Sequence, residues 1–207
     1  MSNRRMLVAS VAALSLAASA HAQGGTAPPA GQMEMKPTGV PGKVVGARAE
    51  SLTATVKAVS VATRTITLAG PDGKPHAYKA GPEVRNLEQL AAGDVVVVQY
   101  EQGLVMEFQP PGSAPVTPMA AVSAERADPG QKPGGSMAAT IQATVTITAI
   151  DMKSRVVVFE GPEGNLYQVK AGPQVALEKA KVGDKFVATY TESVAIAVAP
   201  AKKAKKK

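Results

Sequence analysis

The chain has no cysteine and no tryptophan, and four Tyr and three Phe are its only aromatics among 207 residues. Without Cys there is no disulfide, no thiol nucleophile, no thiolate metal site and no lipid-modified cysteine at a processed N-terminus. Without Trp, and with so few rings, little is left to stack on bases. Histidine is scarce as well, His21 and His76 being the two. Neither has a Cys partner, a G-x-S-x-G serine or a regularly spaced pair of carboxylates to work with, so the parts for acid–base or nucleophilic catalysis are missing. We therefore expect no catalytic residues, no metal site and no cofactor.

A bilayer-spanning helix needs about 20 apolar residues, and the chain has no such run. The nearest is at the start, where Arg4 and Arg5 precede "MLVASVAALSLAASA" and Ala20-His21-Ala22 supplies an A-x-A site. Residues 1–22 are expected to be a secretory signal, Sec-type rather than twin-arginine, cleaved between Ala22 and Gln23. The mature chain would then be periplasmic or secreted, with no transmembrane segment and only packing to hold it together.

A net charge of +7 suggests a nucleic-acid partner until the charges are located. Of the 23 Lys and Arg, Arg4 and Arg5 leave with the signal and five Lys form the terminal "AKKAKKK"; the sixteen that remain balance the 16 Asp and Glu. A neutral body has no basic face with which to follow phosphates, so no nucleic acid is expected. Lys202, Lys203, Lys205, Lys206 and Lys207 form a candidate anion-binding run, either simply solvated or held by charge to lipid headgroups or an envelope polymer, and then weakened by salt.

What the chain does have is a repeat. "GPDGKPHAYKAGPEV" at Gly70 returns as "GPEGNLYQVKAGPQV" at Gly161, an offset of 91 that holds without a gap from Thr53 to about Asn86. One deletion then brings Gly93-Asp94 onto Gly183-Asp184 and Tyr100 onto Tyr190. Each copy alternates apolar and polar residues with the period of a strand. The inward face flips between Ala58 and Val59, and again between Ala149 and Ile150, which calls for a bulge or bend. Pro71-Asp72-Gly73 and Pro162-Glu163-Gly164 carry turn chemistry and predict a hairpin between strands two and three. A short helical turn follows, with Val84, Leu87 and Leu90 spaced by three. "VVVVQY" and "LVMEF", matched by "KFVATY" and "VAIAV", are expected as strands four and five. Asp94 and Asp184 follow Gly ahead of a strand and are read as turn formers.

Strand, strand, strand, helical turn, strand, strand is the order of an OB-type barrel. The expected fold is all-β: two tandem five-stranded OB-like barrels, residues 51–109 and 141–199, joined by a Pro/Gly/Ala-rich linker over 110–140 with room for a short helix at 119–126. Residues 23–50 are expected to be a disordered arm, and 200–207 a basic tail. Arg64, Tyr78 and Lys79, with Arg155, Tyr167 and Lys170, fall near the strand two and three face that such barrels use for ligands.

From "TVKAVSVATRTITL" through "GPEVRNLEQLAAGDVVVVQYEQGLVMEF" the first copy resembles the periplasmic metallochaperone barrels of copper and silver efflux systems, and the second copy resembles them more loosely. The chain also resembles exported bacterial proteins carrying two such barrels. The resemblance implies a five-stranded OB barrel in the periplasm, with Cu(I) held by a His near the end of strand two, two Met around strand three and a Trp over the ion. The matching places here hold Ala69-Gly70 and "PDGKPHAYK", with His76 alone, and the second copy has Tyr167 in its place. The remaining soft donors are Met33 and Met35, two residues apart, which suit Cu(I) or Ag(I). The expected function is a non-enzymatic binding or scaffold protein with a protein or an anionic envelope polymer as partner; the alternative is Cu(I)/Ag(I) handling by the Met-x-Met arm with His76.

Overall fold

A computed structural model describes residues 33–201. The expected signal with its cleavage site at Ala22 and Gln23, and the lysine run from Lys202 to Lys207, lie outside the described residues. The strands are β1 Glu34–Pro37, β2 Lys43–Ser60, β3 Thr65–Ala69, β4 Pro75–Lys79, β5 Val95–Gln109, β6 Met119–Arg126, β7 Gly135–Asp151, β8 Val156–Glu160, β9 Leu166–Ala171 and β10 Lys185–Ala199. Two 3-10 turns, Leu87–Gln89 and Leu177–Lys179, are the only helical elements among the described residues. No helix there is long and apolar enough to cross a membrane.

The all-β expectation holds, and the two halves carry equivalent elements in one order. The bulges are present too: the β2–β3 register shifts between Val56 and Ala58, and the β7–β8 register between Ile147 and Ala149. They lie slightly earlier than the sequence pattern placed them. At each bulge the Gly-Asp turn bonds the inward residue from both sides. Val56 N–H donates to Asp94 O (2.8 Å) and Gly93 N–H to Val56 O (2.8 Å), while Ile147 and Asp184–Gly183 repeat the pair at 2.9 Å.

The barrel itself is built differently from the expectation. Strands four and five of each copy are one strand, β5 and β10, each 15 residues long. The reason is visible in the alternation, which runs without a slip from Val96 through Tyr100, Gln102 and Leu104 to Phe108; an unbroken period of two means an unbroken extended chain. β5 and β10 pair antiparallel along their whole length, from Val95 opposite Ala199 to Gln109 opposite Lys185. β2 flanks β5 and β7 flanks β10, so the halves share one ten-stranded sheet with the order β1-β9-β8-β7-β10-β5-β2-β3-β4, and β6 on β7.

Pairing of β1 with both β9 and β2 closes seven of these strands into a barrel. Its wall takes β1, β2 and β5 from the first half and β7 to β10 from the second, in place of two separate five-stranded barrels. Met35, Met106, Val145, Ile147, Val157, Phe159, Ala171 and Leu177 form the core. Phe186 links it to the wall through edge-on contacts with Phe108 (5.7 Å) and Phe159 (5.8 Å).

The segments expected as arm, linker and tail are partly structured. Residues 34–37 are β1, and β2 begins at Lys43, because the backbone of β1 finds ladder partners on β9 and β2, and the start of β2 finds them on β5. In the linker, residues 119–126 are a strand and not a helix: β6 pairs along β7 from Met119–Gln142 to Arg126–Gly135. The loop after β6 is strapped to the first half, with Asn86 Nδ2 donating to Asp128 O (2.7 Å) and Lys132 Nζ to Gln89 O (2.8 Å) and Asp94 Oδ2 (2.5 Å). Of the tail, Ala201 N–H reaches Asp94 Oδ1 (3.3 Å).

Asp94 is thus more than the turn former it was read as. Its Oδ2 does accept the Ala91 N–H (2.9 Å), as Asp184 accepts that of Lys181 (2.8 Å), but Asp94 is only 2% exposed and its carboxylate also ties linker and tail together. Burial pushes its pKa up, but the Lys132 hydrogen bond, the Ala91 and Ala201 N–H groups and the Lys132 charge outweigh burial and hold it below the ordinary 3.8. A carboxylate with a depressed folded pKa adds stability above its unfolded value and loses it as pH falls through the folded one. Lys132→Met is expected to cost about 2 kcal/mol at pH 6, under the roughly 3–5 kcal/mol of a fully buried pair, because the lysine is partly solvated. Urea melts from pH 6 downward check this: the gap between variant and wild type should shrink once the pH passes below the ordinary carboxylate value.

Candidate functional site

Residues directly opposite each other in an antiparallel ladder share a face, so the register maps the inner surface row by row. Arg48 stands opposite Gln102, and Gln102 opposite Glu192; Glu50 stands opposite Tyr100. Gln102 and Glu192 each lie two residues after the matched tyrosines Tyr100 and Tyr190. The two copies therefore meet about a local quasi-twofold, and the residues on it are polar. Tyr100 Oη donates to Glu192 Oε1 (2.7 Å), Gln102 Nε2 to Tyr190 Oη (2.7 Å), Tyr190 Oη to Glu192 Oε2 (3.2 Å), and Arg48 pairs with Glu50. This layer is half-buried and internally bonded.

Burial first, and then the Glu192 carboxylate, push both tyrosines above the ordinary 10; for Tyr190 the Gln102 hydrogen bond opposes the rise without cancelling it. A raised folded pKa adds stability below the unfolded value and loses it as pH rises through the folded one. An absorbance titration should accordingly show two phenols ionising above pH 10, one of them removed in each of Tyr100→Phe and Tyr190→Phe. Losing the Tyr100 hydroxyl should cost about 1–2 kcal/mol at neutral pH, since Glu192 loses a donor.

Beyond this polar layer the inner face continues in both directions with different outcomes. On one side the row Val44, Met106, Ala188, Ala143 belongs to the closed barrel, and Met106 is 3% exposed. Its counterpart in the other half is the row Leu52, Val98, Ile196, Gly135, in which Ile196 is 37% and Leu52 64% exposed. Beyond it, Val56, Leu68 and His76 form one row and Val59, Ile66 and Tyr78 the next, with Tyr78 44% exposed on the outermost strand β4. In the second half β1 lies along β9, whereas among the described residues β4 has no strand on its outer edge. The end of the sheet at β2, β3 and β4 is therefore an open apolar trough above the fully buried Val56, where the end at β7, β8 and β9 is a sealed core. An exposed apolar surface on a sheet face marks a place of contact.

The ligand-face residues named from the sequence split between these roles. Tyr78 and Lys79 are on β4, and Tyr167 and Lys170 on β9. Arg64 and Arg155 face no ligand: each folds back onto the loop that leads into the 3-10 turn. Arg155 donates to Ala171 O (3.1 Å), Gly172 O (2.7 Å) and Val175 O (2.6 Å); Arg64 donates to Ala80 O (3.2 Å), Gly81 O and Val84 O (2.7 Å). Both have a left-handed backbone, with φ of 53° and 57°. The repeat matched the two arginines, and their recurrence just before a strand was the one available signal of a brace.

The soft donors separate as well. Met35 is 2% exposed inside the barrel, while His76 lies on the exposed β4. Among the described residues no group of three or more His, Cys, Asp and Glu could hold a metal ion. A shallow cleft of about 480 Å³ lies on the outer face, floored by Thr144, Thr146 and Thr148 and covered by the linker at Pro115–Pro118. Comparison with protein-family models, with characterised proteins and with solved structures finds no match to this chain.

Proposed function

We propose that this is a non-enzymatic periplasmic binding or scaffold protein whose working surface is the open trough of the first half. The duplication then has a division of labour between the two ends of the shared sheet: the end sealed by β1 supplies stability, and its symmetry-related end supplies a surface. One observation carries the reading, namely that Met106, on β5 at the sealed end of the sheet, is buried while its match Ile196, on β10 at the open end, is exposed, each end being built from strands of both copies. The side chains offered are apolar, with His76 and Tyr78 at the rim, which suits a protein segment better than a sugar or a metal ion. The lysine tail, in this reading, adds a charge-held contact to an anionic envelope surface and is not the recognition element.

A photo-crosslinking residue tests it. Placed at Leu52 in the mature chain, it should give discrete protein adducts in periplasmic extract, whereas the same group at Thr148 on the outer face should give none. Adducts at neither position, or equal adducts at both, would contradict the trough as the working surface.

A further inference from the structure

The sealed end of the sheet shows what covers its edge, and β7 carries an equivalent of that cover. β1 lies on the start of β2, with Lys36 opposite Val45, and then crosses to β9, with Glu34 opposite Lys170 and Met35 opposite Ala171. β6 lies in the same way on the start of β7, with Glu125 opposite Ser136, the counterpart of Val45. It does not cross: all eight of its residues stay on β7 and are exposed, Val122 among them.

We infer that β6 is a gate strand that leaves β7 and pairs parallel with β4, closing the trough as β1 closes the barrel. The inference rests on the trough being the working surface. Transferring the β1 register places Ser123 opposite Lys79 and Ala124 opposite Ala80. Side-chain sizes fit this register. Where β1 crosses from β2, the large residue is on the crossing strand and the small one beneath it: a Cβ on Gly46 would meet Met35 Sδ at 2.8 Å. Where β6 lies on β7 the same pair is reversed, with Ala124 on the strand and Met137 opposite it. A backbone partner is also waiting. Gly172 N–H donates to Met35 O (2.7 Å), while its counterpart Gly81 has no such strand acceptor among the described residues, and the flexible carboxylate of Glu83 lies over it where that of Glu34 lies over Gly172. Closure requires Glu83 to swing aside. It exchanges the ladder bonds of Met119–Ala124 to β7 for burial of Leu52, Ile196 and Tyr78. The stretch of β2 that corresponds to the vacated edge of β7 carries no strand from β1, so such an edge is tolerated in this fold.

A chain without Cys allows a clean test. Glu34→Cys with Lys170→Cys joins strands that already pair, within reach of a disulfide, and is the positive control. Ser123→Cys with Lys79→Cys should also form an intramolecular disulfide on mild oxidation, and in that locked form the Leu52 crosslinks should be lost and return on reduction. Tyr78→Cys with Val122→Cys provides a second pair should the first disturb folding. If the control bridges and neither test pair does, the gate is refuted although the trough can still bind. If the lock forms but Leu52 still captures protein, β6 does not control the trough and the inference is equally overturned.

Discussion

Replacing Met35 with alanine is expected to lower stability by about 3–4 kcal/mol, in the range for truncating a buried methionine. In a chain of this size that corresponds to a fall of about 10 °C in the melting temperature. The effect is large because Met35 does two jobs. Its side chain is in the core with Met106 and Phe159, and its carbonyl accepts the Gly172 N–H that fixes β1 to the end of β9. Loss of the side chain leaves a cavity at the seam that closes the barrel. Val122→Asp on the fully exposed β6 is the matched control, and a surface change of that kind should stay within about 0.5 kcal/mol. Thermal melts of the two variants of the mature chain decide the point, and equal shifts would mean that β1 is not a barrel strand.

Arg155→Met should cost about 3 kcal/mol for a different reason. The guanidinium satisfies three carbonyls at once, and each bond from a charged donor contributes more than a neutral one. Methionine keeps the aliphatic stem but leaves those carbonyls, two of them in buried Ala171 and Gly172 or beside them, without their donor. The loop then loosens where β1 docks, since Gly172 both accepts from Arg155 and donates to Met35. Arg155→Lys should recover only part of the loss, because a single ammonium cannot span the positions that the planar fork reaches. Arg64→Met, in the half that closes on nothing, should cost less. Denaturant melts of the three variants give the ranking, and an Arg64 effect equal to that of Arg155 would argue against the asymmetry between the halves.

Much of this was legible in the residues. Period-two alternation, the Pro-Asp-Gly and Pro-Glu-Gly turns and the paired bulges are local, and local chemistry dictated them. The resemblance to copper-efflux barrels led to the same strands, but it carried a five-strand closure with it. What misled was the expectation that a duplicated unit closes on itself. Nothing between Tyr100 and Leu104 breaks the strand, and the unbroken alternation there was the sign that β5 would run on to meet β10. The structured parts of arm and linker were hidden for another reason. "EMKP" and "MAAVSAER" have no amphipathic period strong enough to declare a strand; they become strands by pairing, the first with β2 and distant β9, the second with β7. The trough and the buried Asp94–Lys132 pair were out of reach for the same reason, since each depends on which distant segment covers which edge.

The central claim is that the halves share one sheet through β5 and β10 and do not fold alone. Dividing the mature chain between Gly112 and Ser113 tests it directly, with cooperative unfolding and amide dispersion measured on each half and on the mixture. The shared sheet predicts that neither half unfolds cooperatively as a monomer and that mixing them restores one transition. A monomeric half with a cooperative transition and a dispersed spectrum of its own would contradict it.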